Sequence, residues 1–308
     1  MEQSVAVLDG GLASELERRG YLLDDELWSA WALLEAPNAV VEIHLDYLRA
    51  GADVITSATY QATFEGLARR GLRLEEARSV MGSGVELALR ARDTFWATPA
   101  NRVGRARPLV AASVGSYGAY LADGSEYRGD YGLSIRDLMD FHRARLALLA
   151  RSGADVLAIE TVPCRAEAVA VSRLLEDLPA AGAWIAFCCR DAGHAASGEP
   201  LSYCVSAVDD KRGVLAVGVN CTAPMFVEPL LRAAAAATSK PLVAYPNAGE
   251  AWDPATRSWA GGGSPDPLGD AAMWVAAGAR LVGGCCRTTP DDIRRLRSSL
   301  SLLGEARP

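Results

Sequence analysis

Three cysteines stand where apolar runs stop. Cys221 closes the run LAVGVNC, and the pair Cys285-Cys286 closes RLVGGCC. Three thiolates suit Zn2+, a borderline-soft ion that takes tetrahedral sulfur ligation. A site with three protein ligands keeps a fourth position open, which marks catalytic rather than structural zinc. Three thiolates leave such a centre anionic, so it makes hydroxide poorly but can bind and deprotonate a substrate thiol. Adjacent cysteines on an extended strand point to opposite faces, so both reach one ion only if the chain turns sharply. Gly283 and Gly284 allow that turn, tolerating positive φ and close backbone approach. On spacing alone a second reading stands beside this one: cysteine is among the most buried residues, and the pattern is not a local CxxC motif. Of the seven cysteines, Cys188, Cys189 and Cys204 read as core thiols, and Cys164 fits either role.

The elements that must position these thiols are legible as eight short apolar runs. They are AVLDGG from Ala6, DVITSAT from Asp53, LVAASVG from Leu109, DVLAIET from Asp155, WIAFCCR from Trp184, LAVGVNC from Leu215, LVAYPNAG from Leu242 and RLVGGCC from Arg280. Strands covered on both faces read this way. Between them, Ile135, Leu138, Met139, His142, Leu146 and Leu149 form one helical stripe, and 225–237 is strongly helix-favouring. Segment 290–303 opens on Pro290, Asp291 and Asp292, good first-turn residues. Gly51, Gly153 and Gly278 are placed to end a helix before the next strand. Eight strand–helix units fill 308 residues, so the economical architecture is α/β, a (β/α)8 TIM barrel forming a single domain over 1–308. A doubly wound open sheet is the alternative. In a barrel the chemistry sits at the C-terminal strand ends. Those ends carry Asp9-Gly10-Gly11, Thr56 to Gln61, Ser113 to Tyr120, Glu160-Thr161, Asn220-Cys221, Asn247 and Cys285-Cys286.

Composition narrows the partners. With 50% hydrophobic and 22% charged residues the chain is an ordinary globular protein. A net charge of −7 and the lack of a basic block argue against nucleic acid. There is no run of apolar residues long enough to span a membrane, and no basic start followed by an apolar stretch. The expectation is a cytoplasmic protein whose cysteines are thiols.

Glu160 ends an apolar strand and needs a partner there, for which an ammonium would serve. Asp9 has a plainer alternative, capping a helix that begins near Leu12. Tyr117, Tyr120, Tyr127 and Tyr131 crowd the loop after the third strand, and aromatic faces stabilise a sulfonium by cation–π contact. Tyr117 and Tyr120 are the first choices, with loop packing as the competing role of any one of the four. His44 and His142 fall in helical patterns and read as packed, while His194 lies in a glycine-bearing loop. The stretch 247–267 is long for a βα loop and holds Trp252 and Trp259, which makes it a lid candidate.

LDGGLASELERRG at the start, ATYQAT at 58–63, SVGSYGAYLADGSEYRGDY at 113–131, IETVP at 159–163, GVNCTAP at 218–224, YPNAG at 245–249 and GGCCRTTP at 283–290 resemble the homocysteine S-methyltransferase family. The resemblance runs from end to end, and the SYGAYLADGSEYRGDY stretch looks like the branch that uses S-methylmethionine. It implies a zinc-dependent barrel in which Cys221, Cys285 and Cys286 bind the metal and the sulfur of L-homocysteine takes the fourth position. Asp9, Gly10, Gly11 and Glu160 would hold the amino-acid end of homocysteine, with Asn220 also at the substrate. Asn247 would offer an oxygen ligand when substrate is absent. The implied product is methionine. An anionic centre attracts a sulfonium donor, S-methylmethionine or S-adenosylmethionine. Methyltetrahydrofolate chemistry needs a cobalamin relay, for which this length leaves no module. A betaine-type or other thiol methyltransferase on the same fold is the alternative. From a different class comes a zinc-storage or redox-sensing protein working through Cys285-Cys286.

Overall fold

The computed structural model describes residues 5–22, 27–178, 182–253, 256 and 258–305. All eight apolar runs contribute parallel strands: β1 (Ala6–Val7), β2 (Val54–Thr56), β3 (Leu109–Gly115), β4 (Val156–Val162), β5 (Ala183–Phe187), β6 (Val214–Asn220) and β7 (Leu242–Tyr245). An antiparallel hairpin of β8 (Ala251–Asp253) and β9 (Ser258–Ala260) follows, and β10 (Ala279–Val282) is the eighth barrel strand. The order around the sheet is β1-β10-β7-β6-β5-β4-β3-β2. A parallel bridge between Leu8 and Val54, with Asp9 N–H donating to the Val54 carbonyl at 3.0 Å, brings β1 against β2. The ring is therefore nearly closed, and the expected (β/α)8 TIM barrel is what forms rather than an open sheet with two free edges.

A helix follows each barrel strand: Pro37–Ala50, Leu74–Ala97, Ile135–Leu149, Arg165–Glu176, Leu201–Ser206, Pro224–Ala235, Ala271–Ala276 and Pro290–Glu305. Gly51, Gly153 and Gly278 adopt φ of +116°, +88° and +114°, ending helices or turns in the left-handed conformation just before β2, β4 and β10. Strand residues alternate between two cores. One face packs against the helices through Val110, Ile159, Ile185, Val217 and Val282. The other fills the barrel with Leu8, Val54, Ala111, Ala158, Ala186, Ala216 and Val243, all small or medium, around Trp184 and Tyr245. The alanines make room for these two large side chains, and Trp184 Nε1 donates to the Tyr245 hydroxyl at 2.9 Å. This interior polar contact leads upward into the rim where the cysteines lie. No helix among the described residues is long and apolar enough to cross a membrane.

Candidate functional site

Cys221 follows the last residue of β6, and its N–H donates to the Tyr245 carbonyl at 3.1 Å. Cys285 and Cys286 follow β10. Cys285 N–H donates to Pro246 O at 2.8 Å, and Cys286 O accepts from Ala248 N–H at 3.1 Å. All three thiols are thus hung on the end of β7. Their sulfurs lie within 4.8 Å of one another, with Cys221 Sγ 3.6 Å from Cys286 Sγ. A tetrahedral zinc with bonds of about 2.3 Å needs sulfurs about 3.8 Å apart, so the trio fits such an ion. The Cys221 thiol is pulled well below its usual range by hydrogen bonds from Cys285 and Cys286. A thiolate at Cys221 in turn pushes the Cys286 thiol up. A bound cation would favour ionisation of all three thiols.

Cys285 and Cys286 converge because β10 ends at Val282, before the pair, and the chain then turns through Arg287 at φ +66°. Gly283 and Gly284 serve close approach rather than left-handed φ. A Cβ on Gly283 would sit 2.6 Å from Leu8 Cβ, and one on Gly284 would sit 2.2 Å from Thr288 Oγ1. Among the described residues, the non-glycine positions with positive φ are Ala122, Thr161, Cys221 and Arg287. The first three line one pocket with the cysteines, and Arg287 adjoins Cys286. Backbone strain is concentrated where the ligand groups must be aimed.

Asn220 and Asn247 lie behind this centre rather than in the pocket. Asn220 is fully buried; its Oδ1 accepts from Thr161 N–H at 2.7 Å and its Nδ2 donates to Thr161 Oγ1 at 2.9 Å. The same Nδ2 lies 3.9 Å from Cys285 Sγ. Asn247 Oδ1 accepts from Gly249 N–H at 2.9 Å, closing a local turn. Asn220→Ala is expected to weaken metal affinity about 10- to 100-fold with all three cysteines intact, because the partner that orients Cys285 is gone. Competition against a chelator measures this, and unchanged affinity would remove Asn220 from the metal-site assembly.

Two buried carboxylates face the pocket from β1 and β4. Asp9 accepts from Thr56 N–H at 2.7 Å and from Thr56 Oγ1 at 3.0 Å. It does not cap the first helix, whose N-cap position is Gly11, with no side-chain cap. Burial pushes Asp9 up to about 8 against those hydrogen bonds, and the negative charge of Glu160 adds to the rise. Glu160 accepts from Ser113 Oγ and from the Tyr245 hydroxyl. The Tyr245 oxygen already accepts from Trp184, so its own proton is free to point at Glu160. Burial pushes Glu160 up to about 7. Among the described residues no cation acts on either carboxyl. Gly10 and Gly11 line the same wall, packed against Thr288, Tyr47 and the Cys285 carbonyl.

The loop after β3 sorts the four tyrosines differently from the sequence-based order. Tyr117 and Tyr120 sit on the short helix Tyr117–Leu121, capped by Ser116. They pack with Phe141 at ring-centroid distances of 4.9 and 5.4 Å, and Arg69 covers the Tyr120 ring. Neither lines the pocket. Tyr131 reaches the buried Glu167 at 3.1 Å, which also bonds His142 Nε2 at 2.8 Å, so this histidine is a packed core group. Tyr127 is the one at the cysteines, its hydroxyl 3.3 Å from Cys221 Sγ. Glu126 beside it was not singled out by sequence reasoning, while Tyr60 fell within the marked strand end 56–61; both line the pocket. The 247–267 stretch is not structureless: it folds into the β8–β9 hairpin, whose Trp252 and Trp259 pair across the strands and line the pocket mouth. Residues 254, 255 and 257 of that stretch lie outside the described residues.

A three-thiol metal site beside paired carboxylates at a barrel's C-terminal rim narrows the candidates, and comparison with known proteins agrees. A family model described as homocysteine S-methyltransferase matches residues 6–300. Homocysteine S-methyltransferase YbgG of Bacillus subtilis (strain 168) is 48% identical over 291 residues, covering 94% of this chain and 92% of that protein. Selenocysteine Se-methyltransferase of Brassica oleracea var. italica is 45% identical, covering 96% and 88%. The crystal structure of the metallated form of the homocysteine methyltransferase MmuM from Escherichia coli superposes with a TM-score of 0.87 at 44% identity, covering 97% of each chain. Similarity of this degree along nearly the whole length leaves one conclusion: the chain belongs to the homocysteine S-methyltransferase family.

Proposed function

We propose that this protein is a zinc-dependent methyltransferase that moves a methyl group from a sulfonium donor, S-methylmethionine or S-adenosylmethionine, to the sulfur of L-homocysteine, giving methionine. The observation that carries this reading is a three-sulfur metal site opening onto the same pocket as two cation-seeking carboxylates. Cys221, Cys285 and Cys286 would hold the zinc, which would supply a Lewis acid that lowers a thiol's pKa. Asp9 and Glu160 bind the ammonium of homocysteine, and Gly10 and Gly11 line the same end of the pocket. Asn220 orients Cys285 instead of touching substrate, and Asn247 Oδ1 is engaged by Gly249.

In the transfer the homocysteine sulfur forms a new S–C bond as the donor's S–C bond breaks in line. The bonding pair stays on the donor sulfur, which becomes a neutral thioether, and the acceptor's thiol proton leaves to solvent. Alignment of nucleophile and methyl carries much of the acceleration. Burial keeps the Tyr127 hydroxyl protonated, 3.3 Å from Cys221 Sγ. Among the described residues no lysine or arginine lines the pocket, which suits a cationic donor. Incubation of zinc-loaded protein with homocysteine and each of S-methylmethionine, S-adenosylmethionine and betaine tests the reading. Methionine is expected from the sulfonium donors. A preference for betaine would overturn the donor assignment, and no methionine from any donor would overturn the activity.

A further inference from the structure

Asp9 and Glu160 act on each other electrostatically and form one acidic end of the pocket. Glu126 is a third pocket carboxylate: its charge is felt by Tyr60, Tyr127 and Cys188, and it shares Tyr60 and Cys221 as neighbours with Glu160. It sits on the loop after β3, where the Cys188 thiol donates to its carbonyl at 2.8 Å. Close packing from below fixes the same spot, since a Cβ on Gly118 would lie 2.3 Å from Glu126 N. The Oε2 atom of Glu126 is buried and has no hydrogen-bond partner. Arg128 acts on Glu126 only through space, its guanidinium being bonded to Ser125 and paired with Asp123 and Asp130. A carboxylate oxygen held in a pocket wall without a partner costs free energy unless a ligand cation meets it. Trp252 and Trp259, ring centroids 5.3 Å apart and inclined at 60°, line the same cavity and present aromatic surface to it.

We propose that Glu126 and the Trp252–Trp259 pair form the receptor for the sulfonium centre of the methyl donor, separate from the Asp9–Glu160 end that takes homocysteine. The proposal rests on the methyl-transfer reading above. It gives the donor a carboxylate for its charge and indole faces for its methyl groups, which a sulfonium carries with partial positive charge. It also accounts for selectivity against the neutral thioether product: once the methyl has left, neither contact is favoured, and the product departs.

The test uses full-length zinc-loaded protein and two readouts. In steady-state kinetics Glu126→Gln is expected to raise KM for S-methylmethionine about 10- to 100-fold, as for loss of a hydrogen bond to a charged group. KM for homocysteine should stay within about twofold, because only the donor end has lost an interaction. In titrations followed by tryptophan fluorescence, without homocysteine, trimethylsulfonium chloride should bind the wild type and bind Glu126→Gln and Trp259→Leu more weakly, at matched ionic strength. Equal trimethylsulfonium binding by wild type and Glu126→Gln overturns the proposal, as does an equal rise in both KM values. If the wild type forms no methionine from S-methylmethionine, the functional reading falls while the trimethylsulfonium titration still decides the cation site.

Discussion

Cys286→Ala is expected to give a folded barrel that no longer retains stoichiometric metal and forms methionine about a thousandfold more slowly or worse. Loss of a group that merely orients a metal ligand costs about 10- to 100-fold in affinity or activity, and loss of a ligand itself must exceed that. Cys286 is the best of the three for this test. It is half-buried beyond the end of β10 and belongs to neither apolar core, so its truncation opens no cavity among the barrel side chains. Its sulfur also lies 3.6 Å from that of Cys221, as the donor set of one ion requires. Metal content per chain, kcat/KM and thermal melting with and without chelator separate the outcomes. Chelation should lower the wild-type melting temperature, since an ion bound only by the native state stabilises it, and should leave the variant's unchanged. A Cys286→Ala protein with full metal content would refute the three-thiol assignment.

The barrel was legible because strands buried on both faces leave an unbroken apolar signature. All eight runs became strands in ring order, and Gly51, Gly153 and Gly278 took the left-handed conformation their position called for. The thiol trio was visible as residue types at strand ends, where a barrel gathers its chemistry. What sequence could not show is which side of a loop faces inward. Tyr117, Tyr120 and Tyr127 are equal as letters. The Ser116 cap starts a short helix that turns the first two toward Phe141 and Arg69 and leaves the third at Cys221. Glu126 reads as a solvated loop charge, and its burial comes from contacts distant in the chain, with Cys188 and with the backbone packed over Gly118. Gly283 and Gly284 were correctly marked as special, but the reason is the approach of Leu8 and Thr288, visible only once β1 and β10 are neighbours.

Glu160→Gln is expected to move stability and function in opposite directions, and that opposition identifies its role. The amide keeps the shape of the side chain, with its oxygen able to accept from one of Ser113 and Tyr245 and its nitrogen able to donate to the other. What disappears is the charge. Removing the carboxylate from a buried ammonium pair costs about 2–5 kcal/mol, so KM for homocysteine should rise about 100-fold near pH 8. The free protein should respond the other way. Burial raises the folded pKa of Glu160 from the ordinary carboxyl value of 4.5 to about 7. A raised carboxyl pKa contributes stability that is fully present below the unfolded value and is lost as pH climbs through the folded one. Between pH 4.5 and 7 the ligand-free wild type therefore gives up on the order of 3 kcal/mol at this site, a loss the amide does not suffer. Glu160→Gln should melt higher than wild type at pH 8 without ligand, with the difference fading toward pH 5. Homocysteine is expected to reverse the wild-type penalty, because an ammonium bound at Glu160 as proposed would favour the ionised carboxylate. Binding near pH 7 should then release protons to buffer in the wild type and fewer in the variant, readable by calorimetry in buffers of different ionisation enthalpy. A purely structural Glu160 would lower melting at every pH and leave the proton count alone; a substrate-binding Glu160, kept at the cost of the empty protein's stability, does the reverse.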